Sequence, residues 1–188
     1  MELFEAVKID DAARIRKMLE AGIEVNSRDS AGSTLLMLAS YAGNLPVVKA
    51  LLESGANVNA TDEHGWTALA KSTYNFDLKR GFADVVQALI DAGANIEAAI
   101  GFGVRPLMLA AGYGETAVVE ALLRAGADVT ARNEGGLTAL MMVNQKHYVD
   151  VINLLHEAEQ LAGVGEGSCS IKNAPGSNVV TFLRAGGK

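Results

Sequence analysis

The sequence predicts an all-α solenoid: stacked helix-turn-helix units joined by β-hairpin-like turns. Three observations predict it. A glycine-led turn recurs at near-constant spacing. Two short apolar runs with helical periodicity lie between successive turns. The two ends of the pattern carry polar residues where the interior copies carry apolar ones.

The turns align directly. Ala21-Gly22-Ile23-Glu24-Val25-Asn26 matches Ser54-Gly55-Ala56-Asn57-Val58-Asn59, then Ala92-Gly93-Ala94-Asn95-Ile96-Glu97, then Ala125-Gly126-Ala127-Asp128-Val129-Thr130. The glycines are 33, 38 and 33 residues apart. A fifth unit follows, with Gly136-Leu137-Thr138-Ala139-Leu140 in register with Gly32-Ser33-Thr34-Leu35-Leu36. The expected units are residues 1–27, 28–60, 61–98, 99–131 and 132–160. A period in this range marks a repeat array.

The second unit is the plainest. Leu36, Ala39, Val47, Val48, Leu51 and Leu52 fall at helical spacings within two helices. One such helix pair buries too little to stand alone, so stacked neighbours must share a core. Small Ala39 and Ala110 allow close helix approach. The glycine after each second helix is placed for a left-handed backbone, which strains any residue with a Cβ. The first unit starts in its helix at Leu3-Phe4 and has Arg14 where the others have Val47, Val85 or Val118. The last has His156 where Leu52 and Leu123 stand. Arg14 and His156 therefore read as end caps.

The helix openings are Thr34-Leu35-Leu36-Met37-Leu38-Ala39, Thr67-Ala68-Leu69-Ala70-Lys71-Ser72, Arg105-Pro106-Leu107-Met108-Leu109-Ala110 and Thr138-Ala139-Leu140-Met141-Met142-Val143. With the period, they make the chain resemble the ankyrin repeat, whose opening is T-P-L-H-x-A. The resemblance covers about residues 2–158. One opening keeps the proline and none keeps the histidine. In the family the threonine and histidine tie the turns together, so these departures imply local weakening within the same fold.

The third unit carries an edit. Aligning Asn75 with Ala42 and Gly81 with Gly43 leaves Phe76-Asp77-Leu78-Lys79-Arg80 as an insertion between its two helices. It is either a binding loop or a surface loop whose Phe76 and Leu78 fold back on the helix ends. Residues 161–188 are glycine-rich and leave the repeat pattern, so a tail is expected, flexible or docked on the last unit. Within it, Asn178-Val179-Val180-Thr181-Phe182-Leu183 has the composition of a short strand or docking segment.

Composition narrows the function. The formal net charge is -6 and the pI about 5.1. The basic clusters, Arg14-Ile15-Arg16-Lys17 and Lys79-Arg80, are short and lie beside acids, so nucleic acid is not an expected partner. No apolar run approaches the roughly 18 residues of a membrane span, and no signal peptide is visible. Cys169 is the single cysteine, which excludes an intramolecular disulfide and fits a reducing, cytoplasmic setting. It has no base or metal partner nearby in sequence. His64, His147 and His156 form no zinc spacing, and no nucleophile, phosphate-loop or dinucleotide motif is present. Asp29 and Asp62 stand at turns leading into helices, where capping of backbone N–H groups is expected. No catalytic, cofactor or metal residue is assigned, and the chain is read as a non-enzyme.

The resemblance implies a concave groove lined by hairpin tips and the exposed side of each first helix. Carried over by position, the candidate protein-binding residues are Tyr41, Glu63, His64, Trp66, Tyr74, Phe102, Arg105, Tyr113, Leu137 and Lys146. Aromatic side chains are frequent interface anchors because they bury large area with few rotamers. The competing reading is that these rings pack on adjacent turns and hold the stack. The expected function is an adaptor, scaffold or inhibitor that binds a partner protein, as a monomer and without a cofactor. Two alternatives remain. The insertion and tail could close over a small-molecule or catalytic pocket, or the tail could itself be the displayed motif.

Overall fold

The computed structural model describes Val7, residues 12–22 and residues 24–163. The expected opening at Leu3-Phe4, Cys169 and the segment 178–183 lie outside the described residues. Nine α-helices and one 3-10 turn are described, and no β-strand. They are α1 (Ala12–Glu20), α2 (Leu35–Ala42), α3 (Leu45–Glu53), α4 (Ala68–Thr73) and α5 (Ala83–Asp91). After a turn at Gly101–Gly103 come α6 (Pro106–Tyr113), α7 (Thr116–Arg124), α8 (Ala139–Val143) and α9 (Val149–Leu161). This is the all-α solenoid that the sequence predicts.

The helices form two layers. First helices pack in the order α2, α4, α6, α8, and second helices in the order α1, α3, α5, α7, α9. The shared core runs through both. Leu36, Leu69 and Leu107 are buried in the first layer, and Ile15, Val48, Val86 and Val119 in the second. Arg14 is exposed beside buried Ile15, as a cap residue should be. His156 is half-buried, as are Leu52 and Leu123 at the same position.

Local rules set the helix ends. Thr34, Thr67 and Thr138 accept from the backbone N–H three residues on, at 3.3, 3.1 and 3.3 Å. Arg105 offers no such bond, but Pro106 starts α6 with a residue that has no N–H to satisfy. The departure at Arg105 is thus compensated in part. At the far end of α3, Gly55 N–H donates to Leu52 O and Ala56 N–H to Leu51 O, both at 3.0 Å. This paired motif needs Gly55 in the left-handed region, and its φ is 84°.

Asp29 and Asp62 cap backbone N–H groups, but not those of helices. Asp29 Oδ1 accepts from Ala31 and Ser33, and Asp62 Oδ1 from His64 and Trp66, all at 2.9 or 3.0 Å. They close the hairpin turns, and the threonines take the helix caps. Neighbouring turns are stitched by one recurring bond. Asn57 N–H donates to Asn26 Oδ1, Asn95 N–H to Asn59 Oδ1 and Asp128 N–H to Glu97 Oε1, at 2.8, 2.7 and 2.9 Å.

Candidate functional site

The insertion is a closed loop with a fixed base. α4 ends at Thr73, and Tyr74 turns into extended backbone with φ −159°. Asn75 and Arg80 then pair as an antiparallel bridge, with Asn75 N–H donating to Arg80 O at 2.8 Å. Buried Asn75 holds the loop from inside. Its Oδ1 accepts from Asp77 and Leu78 N–H at 2.8 and 2.7 Å. Its Nδ2 donates to Tyr41 O of the preceding unit at 2.6 Å. The return path is tight, because a Cβ on Gly81 would stand 2.4 Å from Thr73 O.

The loop completes an aromatic assembly. Tyr74 and Tyr113 stack, with ring centroids 3.9 Å apart and an interplanar angle of 7°. Phe76 meets Tyr74 edge-on at 5.2 Å and Tyr113 at 5.4 Å. It still keeps 53% of its surface exposed. Tyr41 joins from the other side, its hydroxyl donating to Asp77 Oδ2 at 3.1 Å. Burial first, and then that bond to a carboxylate, pushes the Tyr41 hydroxyl above its ordinary pKa. Of the sequence-derived residues, Tyr41, Tyr74 and Tyr113 therefore come together. Phe76 and Asp77, which the groove positions did not include, join them.

The remaining candidates fall in two groups. Lys146 and Arg105 have partners within the fold. Lys146 Nζ donates to Gly112 O, which is the contact Asn75 makes to Tyr41 O one pair of units earlier. Arg105 Nε stands 3.1 Å from Glu97 Oε2, and its Nη1 donates to Arg132 O at 3.2 Å. Arg105 thus ties two hairpins together. The others occupy the hairpin tips. Glu63 packs its side chain against Gly32, and Glu134 lies against Gly103 in the same way. His64 and Leu137 are exposed and Trp66 is half-buried.

Phe102 differs from the rest of the tip row. Ile100 stands where Asp29 and Asp62 close the other turns, so this tip has no carboxylate to organise it. It keeps the backbone bond that the other turns also make, Ile100 N–H donating to Val104 O at 2.9 Å as Asp62 N–H does to Trp66 O at 3.0 Å. Phe102 sits at its apex with φ 61° and 80% of its surface exposed. Left-handed backbone is costly for a bulky residue, and such outliers cluster at functional sites.

Two open concavities lie at the ends of second helices. One of about 370 Å³ is lined by residues including Arg16, Leu19 and Glu53, and one of about 220 Å³ by residues including Leu123, Ala158 and Leu161. Neither includes a sequence-derived site residue. No helix among the described residues is long and apolar enough to cross a membrane.

The family model described as ankyrin repeats (3 copies) matches residues 3–100 and 78–163, most of the chain. No curated protein matches at a significant level.

Proposed function

The chain belongs to the ankyrin-repeat family, whose repeats are in general protein–protein interaction modules, and from that premise we propose a non-enzymatic binding protein that holds a partner on its first-helix and hairpin-tip face. The observation that carries the proposal is the aromatic assembly of Tyr74, Phe76 and Tyr113, in which Phe76 and Tyr113 are exposed over half-buried Tyr74. A solvent-facing aromatic surface of this kind suits an interface anchor. Asn75 fixes the loop before a partner arrives, which lowers the ordering cost of association. The same bonds favour a fixed platform over a closing lid. Phe102, exposed on strained backbone, is the second anchor, and Trp66, His64, Glu63 and Leu137 extend the surface along the tips. Arg105 and Lys146 support it from within the fold. The protein acts as an adaptor, scaffold or inhibitor, monomeric and cytoplasmic, the last supported by a single cysteine in 188 residues.

Affinity capture with the wild type and with a Tyr41→Ala, Trp66→Ala, Tyr113→Ala triple variant tests this reading. Proteins recovered by the wild type should be lost from a variant that still unfolds cooperatively. Equal recovery of the same proteins by both would place the interface elsewhere.

A further inference from the structure

The last unit exposes what the interior units bury. Met37, Ala70 and Met108 occupy one repeat position and are 0%, 0% and 2% exposed, whereas Met141 at that position is 50% exposed. The neighbouring positions behave alike. Ser40, Thr73 and Ala111 are buried while Asn144 is exposed, and Val48, Val86 and Val119 are buried while Ile152 is only half-buried. Asn44 and Phe82 are buried and Glu115 is half-buried, while Tyr148 is exposed. Leu140, half-buried where Leu36, Leu69 and Leu107 are buried, joins Met141, Tyr148 and Ile152 in an apolar end face on α8 and the start of α9. Its side chains are of the interior kind, and a solenoid end normally needs a polar surface.

We propose that this face is covered by the chain's own segment Asn178–Leu183, which caps the stack. The segment brings Val179, Val180, Phe182 and Leu183, apolar side chains that match the face. Residues 164–177 connect it to Gly163, and they are rich in glycine and serine. A linker of that kind and length spans about 20 Å on average and about 50 Å when extended. α9, with 13 residues, is about 20 Å long, so the segment reaches any point of the face. Tethering also raises the local concentration to roughly the millimolar range, so a small contact suffices. A second copy is the weaker occupant. The face presents a few side chains from two helices, against the roughly 20–30 residues a side of a standard interface.

The test is paramagnetic broadening in the full chain. A nitroxide is placed on Thr181→Cys in a Cys169→Ser background, with methyl groups isotope-labelled. The Met141 and Ile152 methyl signals should lose most of their intensity and recover it when Phe182→Asp is added. The loss should persist when labelled protein is diluted with unlabelled. Unperturbed Met141 and Ile152 signals would overturn the proposal. So would broadening that appears only between separately labelled copies, which makes a second copy the occupant. Broadening centred on the Leu78 methyls, in the loop beside Tyr74 and Tyr113, would place the segment on the aromatic face and overturn it as well.

Discussion

The Phe82 ring fills the space that a side chain on Gly43 would need. An ideal Cβ on Gly43 would stand 2.2 Å from the ring. Gly114 and Tyr148 repeat the relationship two units later, at 2.8 Å. Phe82 and Tyr148 both stand at the N-cap position of a second helix, where Asn44 caps its own helix by a bond to Val47 N–H. An aromatic there gives up the cap and covers the preceding unit's glycine instead. Gly43→Ala should then suffer twice, from φ 73° and from the clash. A loss of about 2–4 kcal/mol is expected. Gly55→Ala has the same strain but nothing within 4 Å, so about 1 kcal/mol is expected there. Urea unfolding of the two variants compares them directly, and equal losses would remove the role assigned to Phe82.

Asp62 gives the fold a pH dependence. Burial pushes its carboxyl up. Lys71, 2.9 Å away, and the N–H groups of Trp66 and His64 outweigh burial and hold it below the ordinary value near 3.8. A group depressed in the folded state stabilises above its unfolded pKa. That stabilisation is lost as pH falls through the folded value. Stability should therefore decline below about pH 4. Asp62→Asn keeps an oxygen for the turn but loses the charge. It should cost about 1–3 kcal/mol at pH 7 and flatten the acid limb of unfolding curves measured between pH 2 and 7. An unchanged acid limb would assign that limb to other carboxylates.

The repeat was legible because each unit obeys local rules. Left-handed glycines, threonine caps and helical apolar spacing act within a few residues, so Gly55, Thr34 and Leu36 announce themselves. The insertion was legible in position but not in form. Its shape depends on Asn75 reaching Tyr41 O, 34 residues back. The one visible hint was a polar residue standing where the second unit has Ala42. The Tyr74–Tyr113 stack and the Phe82–Gly43 contact join residues 39 apart, and no local pattern encodes either. Threonine and aspartate offer the same kind of acceptor, so the sequence alone leaves open which backbone N–H groups the turn carboxylates take. The distance from each to the turn decides which one it serves.

Asn75→Ala should release the loop without unravelling the stack. It removes two acceptor bonds to the loop backbone and one donor bond to Tyr41 O. The loop amides would then exchange faster with deuterium while those of α2 and α6 stay protected. A stability loss of about 1–3 kcal/mol should accompany this, the cost of leaving a buried acceptor unpaired. Partner binding should weaken too, because a loosened loop must be ordered on association. Unchanged exchange at Asp77 and Leu78 would show that the Asn75–Arg80 bridge alone holds the loop.

Phe102→Gly separates strain from binding. A left-handed backbone costs a bulky residue roughly 1–2 kcal/mol, and glycine removes that cost. Glycine also gives the unfolded chain more freedom, which takes back about 0.5–1 kcal/mol. With the ring 80% exposed, little packing is lost. The variant should therefore be as stable as the wild type or up to about 1 kcal/mol more so. If the ring anchors a partner, affinity should fall by more than about 5-fold, the 1 kcal/mol that distinguishes an anchor from a bystander. Thermal unfolding and titration of a captured partner read the two effects independently. A less stable variant with unchanged affinity would make Phe102 a structural residue of its hairpin.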